Sequence, residues 1–208
     1  ANSTQPASEA AQRDQNVAAA LDRIGSMQLE NGHYAYWPGS NGYSDPQLTP
    51  YVIEFLEDAQ TAGFKVPARL LQRSLERVRD DLLSGGTVAW ERAWGDSSDH
   101  AQLAFNAHAA LVLARVNQAP LGTLRNLYDH HREAARGPLV LMRLAAALKL
   151  AGDRPRAEGA ATLALGSVYA RGEEFWGDYS SGLGDRAATL ALALEQGLLP
   201  ASERGRIL

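Results

Sequence analysis

The sequence contains no cysteine among its 208 residues. Disulfides, thiolate metal ligands, iron–sulfur clusters and cysteine nucleophiles all need that side chain, so this chain holds none of them. Basic side chains are not in excess either, because 20 Lys and Arg stand against 24 Asp and Glu, for a net charge of -4. We therefore expect no nucleic-acid partner, since such partners attract a basic surface.

Long apolar runs are also missing. The longest, residues 139–150, is interrupted by Arg143 and Lys149. It is too short and too charged to cross a bilayer, which takes about 20 apolar residues, so we predict no membrane insertion. The content of 45% hydrophobic residues is ordinary for globular proteins and predicts a folded core.

The two ends of the sequence suggest a piece of a longer protein. The chain begins at Ala1 rather than Met, and residues 201–208 resemble the start of a further helix. Residues 1–12 are rich in Ala, Ser and Gln, and we expect them to form a mobile tail. The predicted domain occupies residues 13–208.

Apolar residues recur at three- and four-residue steps along most of that domain, which predicts helices. The pattern indicates eight, with a ninth begun; after a first helix that ends at Gly32, the segments are about 46–61, 67–84, 98–117, 120–134, 138–151, 153–171 and 182–196. Short turns with a proline join them in pairs. The first helix of each pair is the more apolar, so the pairs predict two concentric layers, with the first helices inside.

Three longer connections carry a Trp, then a Gly, then Ser or Asp before an inner helix. They would line one rim with aromatic side chains, and the candidate rim or partner-contact residues are Trp37, Tyr43, Trp90, Trp94, Trp176 and Tyr179. Aromatic faces beside Asp and Asn suit a carbohydrate. The same side chains would also plug the end of a helical barrel, and we favour this packing role.

Other chemical groups give weak signals. The adjacent His130 and His131 point in different directions on a helix, and no metal-binding spacing is present. The acidic pairs 80–81 and 173–174 lie at predicted helix ends, where solvated charges are usual. Nucleophile-elbow and phosphate-loop motifs are absent. We predict no catalytic residue, no cofactor and no metal.

Three stretches resemble the bacterial α2-macroglobulins. Residues 27–39 (MQLENGHYAYWPG) and 48–56 (LTPYVIEFL) are similar to the family pattern Q-x-x-x-G-x-[FY]…W…LTAYV. Residues 113–129 (LARVNQAPLGTLRNLYD) and 181–192 (SGLGDRAATLAL) resemble two further family segments. The similarity runs over about residues 17–208 and implies an all-α fold, a partial α/α toroid of eight to nine helices.

The resemblance implies a non-enzymatic domain of a broad-spectrum endopeptidase inhibitor that traps proteases after a bait segment is cut. Its partners would be proteases and the other domains of the parent chain. The parent would be periplasmic, as a membrane-anchored lipoprotein. The reactive C-x-E-Q motif of the family is not in this sequence, so covalent thioester trapping and non-covalent trapping both remain open.

Two other interpretations remain. A helical-repeat scaffold for protein interactions fits the hairpin periodicity, although the apolar inner helices suit a closed ring better. An enzyme of the same fold acting on an isoprenoid or a polysaccharide would need an Asp-rich acid motif or a zinc-binding Cys, and neither is present.

Overall fold

The computed structural model describes residues 7–39, 44–84, 98–167 and 181–200. These residues are all-α, and an isolated bridge between Gln28 and Tyr34 is the β pairing recorded among them. The described part holds eight α-helices: α1 Ala7–Met27, α2 Leu48–Thr61, α3 Ala68–Leu83, α4 Ser98–Arg115, α5 Leu121–Asn126, α6 Pro138–Leu150, α7 Arg154–Ser167 and α8 Gly182–Glu195. The bounds of α2, α3, α4, α6 and α8 lie close to the predicted segments, whereas α1 ends at Met27, before the predicted end at Gly32.

The chain divides into two compact units, Ala1–Arg77 and Val78–Leu208. The boundary falls within α3. In the first unit, α1 packs against α2. Helix α1 begins at Ala7, inside the predicted tail of residues 1–12, and the mobility of that tail stays a prediction.

The turns that follow α2, α4, α6 and α8 share one geometry. In each, a residue of positive φ is followed by a backbone N–H that reaches the carbonyl five residues back, as Phe64 does to Ala59 at 3.0 Å. This pattern closes a helix by satisfying its last carbonyls. The positive-φ residues are Gly63, Asn117, Gly152 and Gly197. The proline-containing turns that repeat in the sequence therefore correspond to helix ends of the same geometry.

The core of the second unit is built around α4 and α6. Every residue from Leu139 to Leu148 is buried, and α6 packs against α4, α7 and α8. Small residues on α7 let that helix approach α6 closely, because Ala157, Ala160, Ala161 and Ala164 are all buried there. The prediction that these two apolar helices lie inside is confirmed for this unit.

Two predictions for the second unit differ from the structure. The single helix expected over 120–134 is α5 followed by a π-helix, Leu127–His131, and a 3-10 turn, Arg132–Ala134. Apolar spacing does not distinguish these helix types over such short segments, because they are defined by their hydrogen-bond register. Helix α8, expected inside, buries only Thr189 and Ala193, because among the described helices it contacts α6 and α7 along one side.

Among the described residues, none of the helices is both long enough and apolar enough to cross a membrane.

Candidate functional site

Of the six predicted rim residues, the structure describes one. Trp37 follows α1 in the first unit and is 71% exposed. Tyr43, Trp90, Trp94, Trp176 and Tyr179 lie outside the described residues. Their role in packing or in partner contact stays a prediction.

The loop after α1 is held on α3 by a set of hydrogen bonds, and we call residues 28–34 the clasp. The Gln28 side chain donates to the Leu70 carbonyl at 2.8 Å and to Ser74 Oγ at 2.9 Å. Tyr34 is fully buried, and its hydroxyl accepts from Ser74 at 2.9 Å. Burial raises the pKa of the Tyr34 phenol, while the hydrogen bonds from Ser74 and Gln28 act in the opposite direction. The clasp therefore keeps Tyr34 as a neutral, packed side chain.

Gly32 lets the clasp approach the backbone of α3. Its φ is +90°, and a Cβ placed on it would lie 2.6 Å from the Arg73 carbonyl oxygen and 2.9 Å from Arg77 Cβ. Arg73 in turn donates from its guanidinium to the Glu30 carbonyl at 2.5 Å. Only glycine satisfies both the left-handed conformation and this separation.

His33 joins the clasp to both α2 and α3. Its Nδ1 lies 2.8 Å from Thr49 Oγ1, and Arg77 Nε donates to its Nε2 at 3.2 Å. Because a guanidinium only donates, Nε2 accepts, and the Nδ1–H then donates a hydrogen bond to Thr49 Oγ1. His33 is 4% exposed. The two sequence stretches of the first resemblance, 27–39 and 48–56, thus meet at the contact between His33 and Thr49.

The second resembling stretch supplies an ion-pair network in the second unit. The buried Asp153 carboxylate, at the start of α7, accepts from Arg125 at 2.6 Å and from Arg156 at 3.2 Å. Arg156 also pairs with Asp129 of the π-helix at 2.9 Å. The hydrogen bond from Arg125 holds the pKa of Asp153 below its ordinary value, and the one from Arg156 does the same for Asp129. Arg132, three residues beyond this stretch, lies over the Tyr128 ring at 5.2 Å.

The third resembling stretch is a helix cap. Ser181 Oγ accepts from the Gly184 N–H at 3.1 Å, and the Asp185 carboxylate accepts from the Ser181 N–H at 3.3 Å. The two bonds satisfy donors at the start of α8 reciprocally, in the manner of a capping box. Each of the three stretches therefore serves a structural joint.

The other groups considered from the sequence are dispersed. His33 and His100 are buried, and His100 Nδ1 accepts from the Arg136 N–H at 3.1 Å. Asp81 is buried on α3 while its neighbour Asp80 is exposed, and the pair 173–174 lies outside the described residues. Within the described ranges no cluster of three or more His, Asp and Glu residues could hold a metal ion.

A cavity of about 360 Å³ lies in the second unit. Leu82, Leu103 and Leu127 give it apolar walls. Its polar lining comes mainly from side-chain amides and imidazoles, and these residues are Gln102, Asn106, Asn126, His130 and His131. Nothing in the sequence pointed to it, because its walls come from α3, α4, α5 and the unforeseen π-helix.

No family model matches the chain. The chain is 41% identical over 198 residues to an alpha-2-macroglobulin of Xylella fastidiosa (strain Temecula1), covering 95% of this chain and 12% of that protein. It matches the structure of Salmonella alpha-2-macroglobulin reacted with methylamine with a TM-score of 0.85 and 38% identity, over 98% of this chain and 13% of that one. It matches trypsin-activated alpha-2-macroglobulin from Escherichia coli with a TM-score of 0.81 and 38% identity, over 90% of this chain and 12% of that one.

The helical hairpins and these matches define the class of the chain, an all-α toroid fragment. In sequence and in fold it is homologous to one segment of the bacterial alpha-2-macroglobulins. The chain spans about an eighth of the length of the curated relatives it matches, 12% of the Xylella fastidiosa protein.

Proposed function

We propose that this chain is the toroid domain of a bacterial alpha-2-macroglobulin-type inhibitor, whose parent protein traps endopeptidases after they cut a bait segment. The observation that carries the proposal is the match over 95% of the chain at 41% identity, together with the fold shared with the trypsin-activated E. coli protein. Proteases and the other domains of the parent are the partners that follow from it.

The chain itself acts as a framework in this proposal. The stretches that resemble the family hold the clasp, the ion-pair network and the cap of α8, and the described parts of these joints are occupied by contacts within the protein. A framework of this kind needs no catalytic group of its own. The inhibitory action would belong to the parent protein.

The test uses the full-length parent and trypsin. A protease that is enclosed but not blocked at its active site keeps cutting a small peptide amide while losing access to a large protein such as casein. We expect the parent to lower casein hydrolysis at least tenfold and to leave hydrolysis of the peptide amide nearly unchanged. Equal loss of both activities, or loss of neither, would refute the trap.

Covalent capture is tested in the same experiment. A thioester acylates an amine of the enclosed protease, and a primary amine added beforehand consumes it. If the parent carries a thioester outside these 208 residues, the complex with trypsin survives denaturing electrophoresis, and prior treatment with methylamine abolishes that survival. A complex that always dissociates on denaturation indicates non-covalent trapping.

We also propose a periplasmic location for the parent, anchored to a membrane as a lipoprotein. The resemblance to exported bacterial members of the family supports this. If osmotic shock alone leaves the parent in the cell and osmotic shock with detergent releases it, the result agrees with the proposal. Recovery of the parent with cytoplasmic marker enzymes would contradict it.

A further inference from the structure

We propose that the cavity of the second unit is a binding site for an extended, uncharged polypeptide segment, which it would recognise through side-chain amides. The proposal goes beyond protease trapping and does not depend on it. It stands on the depth of the cavity, on one buried amide that faces it, and on the kinds of group that line it.

The deep part of the cavity combines apolar walls with one amide. Leu103 of α4 is 2% exposed, Leu127 of the π-helix is 6% exposed and Asn106 of α4 is 6% exposed. A ligand side chain entering this space would be shielded from water on most sides. It would also meet a polar group at the bottom.

Asn106 is that polar group. Its Oδ1 accepts a hydrogen bond from Gln102 Nε2 at 3.3 Å, one helical turn earlier. Within the part of the chain that the structure describes, its amide nitrogen has no protein partner. Asn106 lines the cavity, so this nitrogen can donate into that space, where a carbonyl oxygen of a ligand would accept its hydrogen bond.

The outer part of the cavity offers further polar groups. Asn126 at the end of α5 and the consecutive His130 and His131 are exposed and line it. Both imidazoles border the same space, although their adjacency suggested divergent directions. The π-turn that carries them belongs to a helix type often found at functional sites.

These groups favour peptide chemistry over an anionic ligand. Among the described residues of the lining there is no Lys or Arg, and Asp99 adds a carboxylate, so a phosphate or carboxylate ligand finds no fixed cation there. The amide nitrogen of Asn106 and the carboxamide of Asn126, by contrast, together present donors and an acceptor, which is the pattern of a peptide group. A volume of about 360 Å³ lies in the range of small-ligand sites.

The test is a titration of the isotope-labelled 208-residue chain followed by NMR. The probe is N-acetylglycine N-methylamide, which carries two peptide groups and no charge, and glucose is the comparison probe for a neutral polyol. We expect the peptide probe to give saturable shifts of the amide signals of Asn106 and Asn126, with a millimolar Kd. No saturable shift up to 100 mM, or a saturable shift with glucose alone, would overturn the proposal.

Variants of the chain connect the shifts to the cavity. Asn106→Leu keeps the size of the side chain and removes its hydrogen-bonding groups, so we expect binding at least tenfold weaker. Gln118→Ala, exposed in the turn after α4, is the matched control and should bind as the unchanged chain does. If circular dichroism shows that Asn106→Leu does not fold, Asn126→Ala is used, with at least threefold weaker binding expected. Unchanged binding by the folded cavity variant would overturn the proposal.

Discussion

Replacing Gly32 by alanine tests the claim that the family-like motif of the first unit is a packing joint. The structure offers a matched control, because Gly32 and Gly63 both have φ of +90°. A Cβ on Gly63 meets no atom within 4 Å, whereas a Cβ on Gly32 meets the Arg73 carbonyl oxygen at 2.6 Å. The two alanine variants therefore share the conformational cost and differ in the steric one.

The magnitudes follow from these distances. The left-handed conformation costs an alanine about 1–2 kcal/mol at either position. At Gly32 the clasp must also move away from α3, which adds about 1–3 kcal/mol of overpacking. Movement of the clasp further weakens the hydrogen bonds of Gln28 to α3, each worth about 1 kcal/mol. We expect Gly63→Ala to lower the free energy of unfolding by about 1–2 kcal/mol and Gly32→Ala to lower it by at least about 3 kcal/mol.

The assay is urea unfolding of both variants at one temperature and pH, followed by far-ultraviolet circular dichroism. Hydrogen exchange of the Leu29 and Ala35 amides, which donate to the His33 and Met27 carbonyls at 2.8 Å and 3.0 Å, gives a local readout, and protection there should fall in Gly32→Ala while staying intact in Gly63→Ala. If the two variants agree within about 0.5 kcal/mol, the close approach carries no energy and the reasoning fails.

Two further predictions concern the second unit. Alanine at Gly159 of α7 would overlap the Tyr128 hydroxyl, whereas alanine at Gly166 of the same helix meets nothing within 4 Å. We expect thermal unfolding to show that Gly166→Ala stabilises the chain by about 0.5–1 kcal/mol and that Gly159→Ala leaves its stability unchanged or lowers it. An equal gain in stability for both variants would contradict the contact between Gly159 and Tyr128. The pKa of Asp153 is lowered, mainly by Arg125, so its ionised form stabilises the native state at neutral pH and this contribution is lost as the pH falls below the ordinary Asp value of about 4. Asp153→Asn should therefore lower the Tm at pH 7, with a difference that shrinks toward pH 2; a difference independent of pH would contradict the ion-pair role.

The helices of this chain were predictable because the apolar spacing and the residues typical of helix ends indicate the same boundaries. A proline after each turn and a Gly or Asn at positive φ before it mark the same boundaries, as Gly152 does between α6 and α7. The inner position of α6 was equally plain, since a helix apolar on all sides must be covered on all sides. Because these signals lie within or next to the helix concerned, a single sequence is enough to predict its position and its burial.

Other features depend on partners distant in the chain. The clasp joins Gln28 to Ser74, 46 residues apart, and the sequence showed the motif without its target. Arg125 and Asp129 lie in the second resembling stretch, but the sequence did not show that both belong to the network around the buried Asp153. The π-helix depends on a shift of one hydrogen-bond register, for which residue type gives no signal.

The exposed side of α8 shows a limit of composition as evidence. Its leucines and alanines predicted an inner helix, but Leu183 is 82% exposed and Leu194 is 45% exposed. An apolar composition allows a helix to be buried, but which of its side chains are buried depends on the elements that pack against it.

In the function proposed above, trapping of proteases belongs to the parent protein and this chain contributes a framework. The most direct measurement adds the purified 208-residue chain to trypsin, up to a tenfold excess, and follows casein and a small peptide amide as substrates, with the full-length parent measured alongside. We expect that the chain changes neither rate, while the parent suppresses casein hydrolysis. A dose-dependent fall in hydrolysis of the peptide amide caused by the chain alone would contradict it.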